Sequence, residues 1–126
     1  MCLVRVLIKE ETKVLDVSEH IYVMYDSLMP MSFYIILWNF TEQGIKSVKE
    51  SPKRADAFKN RLERTGGKLH STYYTFGKHD GVSIVEAPND ESLMSTLLSI
   101  ESEGNARTIT LKAFTYEEGT KIISNL

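Results

Sequence analysis

An almost uninterrupted run of aromatic and β-branched residues, Phe-Tyr-Ile-Ile-Leu-Trp-Asn-Phe at positions 33–40, restricts the folds open to this chain of 126 residues. Residues of these types are enriched in strands. A strand with one solvated face alternates apolar and polar side chains, whereas this run is apolar at successive positions. The pattern therefore predicts a strand whose two faces are both covered.

The segment after this strand has the spacing of two helices. Apolar residues recur at helical intervals after Thr41, but Pro52 lacks a backbone N–H and clashes with the preceding turn of a helix. A serine before a first-turn proline is a favourable helix start. We therefore predict a short helix over 42–50 and a longer one over 52–65, with Ser51 as its N-cap.

The rest of the chain completes a familiar order of elements. The predicted elements are strands over 68–76, 82–87 and 106–114, a helix that starts at Asn89-Asp90, and a last helix opened by the capping box Thr115-x-x-Glu118. The order from residue 33 is β-α-β-β-α-β-α, which predicts an α+β, ferredoxin-like βαββαβ fold. Right-handed crossovers then place both long helices on one face of a four-stranded antiparallel sheet.

The other face of that sheet is left without a helix. The aromatic and aliphatic residues of the strand at 33–40, with Tyr73 and Tyr74 of the next strand, make it too apolar for water. We expect a second copy of the chain to cover this face. The sequence thus predicts a homodimer, or a higher oligomer, with Trp38 and Tyr73 in the contact.

Composition excludes several classes of protein. Hydrophobic residues make up 42% and charged residues 25% of the chain, the formal net charge is −2, and there is one cysteine. These values are typical of a globular domain and not of a disulfide scaffold or a disordered chain. The longest uncharged run, residues 27–41, is too short to span a bilayer and contains Pro30. With no secretory signal pattern at the N-terminus, we expect a cytoplasmic protein that does not bind membranes.

From Met31 onwards the chain resembles the GYD-domain family of small bacterial and archaeal proteins. The residues that carry the resemblance are Tyr34-Ile-Ile-Leu, Thr41-Glu-Gln-Gly44, Ser51-Pro52-Lys53-Arg54, Gly66-Gly67-Lys68, Tyr74-x-Phe76-Gly77, Asp80, the block Ile84 to Glu91, and Gly104-Asn105-Ala106-Arg107-Thr108-x-Thr110-Leu111. The resemblance implies a dimeric α+β barrel, in which two sheets pack face to face. The sequence departs from the family at Gly77-Lys78-His79-Asp80, where His79 stands in place of the tyrosine that gives the family its name.

Residues 1–30 form a separate extension in this interpretation. Three short strands are predicted at Leu3–Ile8, Lys13–Val17 and Ile21–Tyr25, before the break at Met29-Pro30. The segment resembles the opening of the CooT-type nickel-binding proteins, and the resemblance implies Cys2 as a metal ligand. The domains predicted are therefore 1–30, a β-rich extension, and 31–126, the ferredoxin-like domain.

Six residues are the candidate ligand-binding residues: Lys53 and Arg54 at the start of the longer helix, Tyr74, His79 and Asp80 at the hairpin, and Arg107 at the start of the last strand. Between Gly44 and Lys68 there are eight Lys or Arg and three acidic residues, so this segment is strongly basic in a chain that is acidic overall. Arginine and lysine side chains bind carboxylates and phosphates. The residues predict binding of a small molecule, with an anionic one as the narrower form. The alternative is that the charges are a solvated helix face, and that Asp80 and Arg107 stabilise turns or pair with each other.

Catalysis and nucleic-acid binding are weaker alternatives. The sequence has no nucleophile motif and no paired metal-ligand spacing, so we assign no catalytic residue and no cofactor other than nickel at Cys2. A monooxygenase of the antibiotic-biosynthesis type would use Trp38, Asn39 or His79 in a pocket. Exposed aromatic residues on a four-stranded sheet also occur in RNA-binding domains, but dimerisation would cover these rings. We favour an accessory or binding module over an enzyme.

Overall fold

The computed structural model describes the backbone of residues 3–8 and 11–16 and all of residues 30–126. The chain divides into two compact units, Met1–Pro30 and Met31–Leu126. In the first unit, β1 (Leu3–Ile8) pairs antiparallel with β2 (Glu11–Asp16). The third predicted strand, Ile21–Tyr25, and the proposed ligand Cys2 lie outside the described residues.

The second unit contains four strands and four helices. These are β3 (Ser32–Phe40), α1 (Glu42–Lys46), a 3-10 turn (Val48–Glu50), α2 (Ser51–Arg64), β4 (Lys68–Tyr74), β5 (Gly81–Ala87), α3 (Asp90–Glu101), β6 (Ala106–Ala113) and α4 (Tyr116–Ser124). The strands form one antiparallel sheet in the order β4-β5-β3-β6. The predicted α+β, ferredoxin-like arrangement is confirmed.

The core lies between one face of the sheet and the helices α2 and α3. The sheet contributes Tyr34, Ile36, Val85 and Ala87, and the helices contribute Leu62, Leu93 and Leu97. Because side chains alternate along a strand, the burial of Tyr34 and Ile36 directs Trp38 to the same, helix-covered face. The prediction that Trp38 lies on the uncovered face is therefore wrong.

A β-bulge in β4 changes which of its side chains face the helices. Leu69 pairs with Val85, whereas Ser71 pairs with Ile84, so His70 is the extra residue. After the bulge, Tyr74 lies opposite Gly81 on the helix-covered face and Tyr73 lies opposite Val82 on the other face. The prediction that Tyr74 lies on the uncovered face together with Tyr73 is therefore wrong, because a bulge inserts one residue into the alternation.

Two helix starts were predicted from capping patterns, with different outcomes. The capping box of α4 is confirmed: Glu118 N–H donates to Thr115 Oγ1, and Thr115 N–H donates to the Glu118 carboxylate. The hydrogen bond from the Thr115 backbone N–H to the carboxylate, followed by the effect of the Thr115 side chain, lowers the pKa of Glu118. At α2, however, Ser51 is the first helical residue, because the 3-10 turn continues directly into the helix. Its hydroxyl is therefore free to bond to another element.

The sheet face opposite the core, here called the open face, has an apolar centre. Phe33, Ile35 and Leu37 of β3 alternate with the buried residues of that strand. The neighbouring strands add Tyr73, Val82, Ile84, Ile109 and Leu111, of which Tyr73, Ile109 and Leu111 are about half exposed. Within the described residues, no helix has the length and apolarity needed to cross a membrane.

Candidate functional site

A cavity of about 90 Å3 lies between the helix-covered face of the sheet and α2, and is called here the helix-side cavity. It is large enough for several water molecules or a small organic group. Most of its lining is apolar: Ile36, Trp38, Phe40, Ala55, Phe58, Leu97, Ile100 and Ala106. Such a cavity, with a few polar groups at fixed positions, is the usual form of a small-molecule site.

One face of α2 supplies both polar and apolar side chains to the wall of the helix-side cavity. Ser51, Arg54, Ala55 and Phe58 all line the cavity, at the i, i+3, i+4 and i+7 spacing that places side chains on one face of a helix. Ser51 is 6% exposed, and its Oγ lies 2.9 Å from the Tyr74 phenol oxygen. The bond joins the start of α2 to the end of β4.

Trp38 is held in the wall by a short chain of hydrogen bonds. Its indole N–H donates to Ser83 Oγ at 3.3 Å, and Ser83 Oγ lies 3.1 Å from Thr72 Oγ1. The Trp38 ring meets Phe40 and Tyr74 edge to face, with ring centroids 5.4 and 5.6 Å apart. These contacts fix the indole as a rigid part of the cavity.

Arg54 combines a structural contact with a position at the cavity. Nη1 donates to the Ser47 carbonyl and hydroxyl oxygens, and Nη2 donates to the Gly44 carbonyl, at 3.1–3.2 Å. These bonds tie α2 to the C-terminal end of α1. Tyr74 is the other candidate residue that lines the cavity, so the structure brings these two together.

His79 and Asp80 lie together in the turn between β4 and β5. Asp80 Oδ2 accepts the backbone N–H of Phe40 at 2.8 Å, and Asp80 N–H donates to the Trp38 carbonyl. His79 Nδ1 lies 2.9 Å from Asn39 Oδ1. The two residues therefore fasten the turn to the end of β3, and neither they nor Asn39 line the helix-side cavity.

Lys53 and Arg107 lie apart from the cavity. Lys53 is exposed and its Nζ is 3.5 Å from Glu50 on the same helix surface. Arg107 is exposed and opposite Asn39 in the β3–β6 ladder, so the ladder places it at one end of the open face. The six candidate residues are thus divided among the cavity, the turn and the surface.

A second, wider groove lies between α3 and the edge strand β6, and sequence reasoning did not single it out. Tyr34 OH donates to Asp90 Oδ1, which Lys112 Nζ approaches at 3.1 Å. Burial, followed by the Asp90 contact, raises the pKa of Tyr34 to about 12. The same hydrogen bond, followed by that from Lys112, lowers the pKa of Asp90. Nothing in the sequence pairs positions 34 and 90; the only local signal was the helix start at Asn89.

Among residues 30–126, no three His, Cys, Asp or Glu side chains are grouped as metal ligands. The described part of the chain therefore offers no metal centre to set beside the cavity.

The comparisons with known proteins agree with this fold. The sequence model of the GYD domain matches residues 34–123, which covers the sheet and all four helices. The chain belongs to the GYD domain family. One relative, from Thermus thermophilus, is 30% identical over 84 residues, which are 66% of this chain and 88% of the relative. That protein is described as a glutamine synthetase and cystathionine beta-lyase binding protein.

Proposed function

We propose that this GYD protein is an accessory protein that acts as a homodimer and binds an enzyme of amino-acid metabolism. The open face, a broad apolar surface on the four-stranded sheet, supports the homodimer, and the exposed pair Met94 and Leu98 on α3 supports the enzyme contact. The relative from Thermus thermophilus supports the choice of partner, because its description names two enzymes whose substrates or products are amino acids.

The open face has the composition of an interface between two copies. Its centre is aliphatic and aromatic, whereas its ends carry polar groups: the His70–Glu86 pair, 2.5 Å apart, at one end and Asn39 with Arg107 at the other. An apolar centre inside a polar rim is the usual anatomy of a protein interface. A twofold axis would bring the same patch of both copies together.

The extent of the face suits a dimer. Four strands about 4.8 Å apart, each about eight residues long at about 3.3 Å per residue, give a flat area of roughly 500 Å2. Two copies would then bury roughly 1,000 Å2, the lower limit for a specific interface. This supports a second copy of the chain as the occupant of the open face.

Enzyme binding then falls to the helix side of the molecule. Met94 and Leu98 lie one turn apart on α3 and are 61% and 53% exposed. They form an outward apolar pair on a surface that the dimer would leave free. We propose this pair as the centre of the contact with the enzyme.

Two matched variants separate these contacts. Light scattering after gel filtration should give the full chain twice its protomer mass of 14.4 kDa, and Leu111→Glu should give a monomer because it puts a charge into the apolar centre. Met94→Glu should remain dimeric and lose co-elution with purified glutamine synthetase. A wild-type monomer at micromolar concentration would rule out the dimer. Absence of co-elution with the wild-type chain at tens of micromolar would rule out this enzyme.

Binding of a small molecule is the second candidate function. The helix-side cavity favours it, since the cavity is mostly apolar and carries Arg54 and Tyr74 in its wall. The monooxygenase alternative is less supported, because Trp38 lines the cavity but Asn39 and His79 do not.

Nickel binding through Cys2 stays a prediction. Titration of the full chain and of Cys2→Ala with nickel tests it, and equal binding by the two would exclude Cys2 as a ligand.

A further inference from the structure

The helix-side cavity has more hydrogen-bond donors in its wall than its own residues use. We infer that it binds a small monocarboxylate with an apolar body, such as a short branched aliphatic acid. The inference rests on the second proposed function, small-molecule binding, and specifies the class of molecule.

Arg54 supplies the first unused donors. A guanidinium has five N–H groups, and the bonds to Ser47 and Gly44 use three of them. Among residues 30–126, the Nε–H and the second N–H of Nη2 have no acceptor within hydrogen-bond distance. Because the anchored side chain is already ordered, a carboxylate that meets it pays little further entropy.

The hydroxyl pair beside it supplies another donor. Ser51 Oγ and the Tyr74 phenol share one hydrogen bond, in which either can donate. Two hydroxyls carry two hydrogens, so one hydrogen remains after that bond is made. Ser51 is buried whereas Tyr74 is 58% exposed, so Ser51 is the favoured donor of that bond and the remaining hydrogen belongs to the Tyr74 phenol beside the cavity. An oxygen atom of a bound molecule would satisfy it.

The charge at the mouth of the cavity does not oppose an anion. Glu103 is the one carboxylate in the cavity lining, and its Oε1 lies 2.5 Å from Arg61 Nη2, so its charge is neutralised locally. Asn105 also belongs to the lining; its Oδ1 accepts from Gln43 Nε2, and its amide nitrogen is a donor. Donors are therefore in excess around one small space.

The apolar floor of the cavity determines the chemistry of the rest of the bound ligand. Ile36, Phe58, Leu97 and Ile100 offer no polar atom to a second charged group. Burial of a second carboxylate or a phosphate there would leave its charge unpaired. One anionic head with an apolar body matches a donor-rich rim above an apolar floor. The cavity lies on the side of the sheet away from the open face, so dimerisation would leave it accessible.

Titration calorimetry of the full chain with two pairs of probes tests the inference. The pairs are 2-methylpropanoate with 2-methylpropanamide and 3-methylbutanoate with 3-methylbutanamide, whose members differ in the charge of the head group. We expect at least one acid to bind, and to bind about tenfold more tightly than its amide, because charge-assisted hydrogen bonds are roughly twice as strong as neutral ones.

Variants locate the site. Arg54→Gln should weaken binding of the acid about tenfold or more, and Tyr74→Phe should weaken it by a few-fold. Tyr74→Phe keeps the ring that packs on Trp38, so it reports on the site even if Arg54→Gln loosens α1. Lys53→Gln is the matched control: it removes a neighbouring positive charge outside the cavity, and binding should match the wild type.

The possible outcomes distinguish an error in the ligand class, a carboxylate, from an error in the proposed function, small-molecule binding. If an amide binds as tightly as its acid, or if only the amides bind, the carboxylate class is wrong while small-molecule binding stands. If Lys53→Gln weakens binding as much as Arg54→Gln, the acid binds at the basic surface and the cavity is excluded. If no probe binds and no member of a wider metabolite panel shifts the melting temperature, small-molecule binding itself is wrong.

Discussion

Tyr34 carries a phenol into the core and still retains a polar partner. The residue is 3% exposed, and its OH reaches Asp90 at the start of α3, where Lys112 also binds. A buried hydroxyl without such a bond would cost about 1–3 kcal/mol. The single contact joins β3, α3 and β6 at one point, and it makes the stability of the domain depend on two ionisable groups.

The unfolding free energy at alkaline pH should depend on the ionisation of Tyr34. Its pKa is about 12 in the folded protein and 10.0 ordinarily, so its contribution is complete below pH 10 and is lost as the pH rises towards 12. The unfolding free energy should fall by up to about 1.4 kcal/mol per pH unit in that window. Urea denaturation of Tyr34→Phe should lack this component, whereas Tyr116→Phe, with an exposed ring, should follow the wild type. Equal slopes for wild type and Tyr34→Phe would contradict it.

The unfolding free energy at acid pH should depend on Asp90, and here it should fall as the pH is lowered. The pKa of Asp90 is lowered in the folded protein, so its contribution is present above its ordinary pKa of about 4 and is lost as the pH falls through the lower, folded value. We expect Asp90→Asn to lose less stability than the wild type between pH 5 and pH 2, a window placed by the ordinary carboxyl pKa of about 4. Denaturant titrations across this range measure the difference, and identical acid limbs would exclude the contact.

At the scale of elements, the sequence predicted the order and type of every helix and strand from residue 33 onwards. It did so because hydrophobic spacing, Pro52 and the capping box Thr115-x-x-Glu118 act locally. The bulge in β4 could not be predicted, since it depends on how Leu69 and Ser71 pair with another strand. That one residue decides that Tyr74 faces the cavity. The sequence identified Arg54 and Tyr74 as candidates. It did not identify the hydroxyl pair of Ser51 and Tyr74, because that pair depends on the contact between α2 and β4.

The contact of β5 with the cavity wall depends on a glycine. A Cβ at Gly81 would lie 1.9 Å from Trp38 Cζ2, so Gly81→Ala must displace the indole. We expect a loss of about 1–3 kcal/mol in unfolding free energy, as for other overpacked cores. Trp38 is the single tryptophan, so its emission spectrum should shift as well.

Gly119→Ala is the control for that experiment. Gly119 has nothing within 4 Å of its Cβ position and lies in α4, where alanine should be neutral or should stabilise by up to about 1 kcal/mol. If Gly81→Ala keeps the wild-type emission and unfolding midpoint, the close approach of Trp38 to β5 is wrong.

At the scale of the whole molecule, the four-stranded sheet separates the face proposed for self-association from the side proposed for ligand and enzyme binding. The core and the helix-side cavity occupy one face, and the apolar centre of the open face occupies the other. A substitution on one face is therefore expected to leave the proposed contact on the other face unchanged. This separation is what allows Leu111→Glu to test self-association while ligand binding and enzyme binding are tested by Tyr74→Phe and Met94→Glu.

Residues 31–126 should fold without the first unit. Within residues 30–126, the buried cluster runs from Tyr34 to Leu97, and thirty residues are too few to build a core of their own. A chain that begins at Met31 should therefore melt cooperatively, within about 5 °C of the full chain, which corresponds to about 1 kcal/mol for a domain of this size. Scanning calorimetry measures the melting temperature and the cooperativity.

A chain that begins at Tyr34 is the control. It also loses the pairs of Ser32 and Phe33 with Ala87 and Glu86, so it should melt clearly lower. If the Met31 chain aggregates or melts as low as the control, residues 1–30 contribute to the core and the proposed domain boundary is wrong.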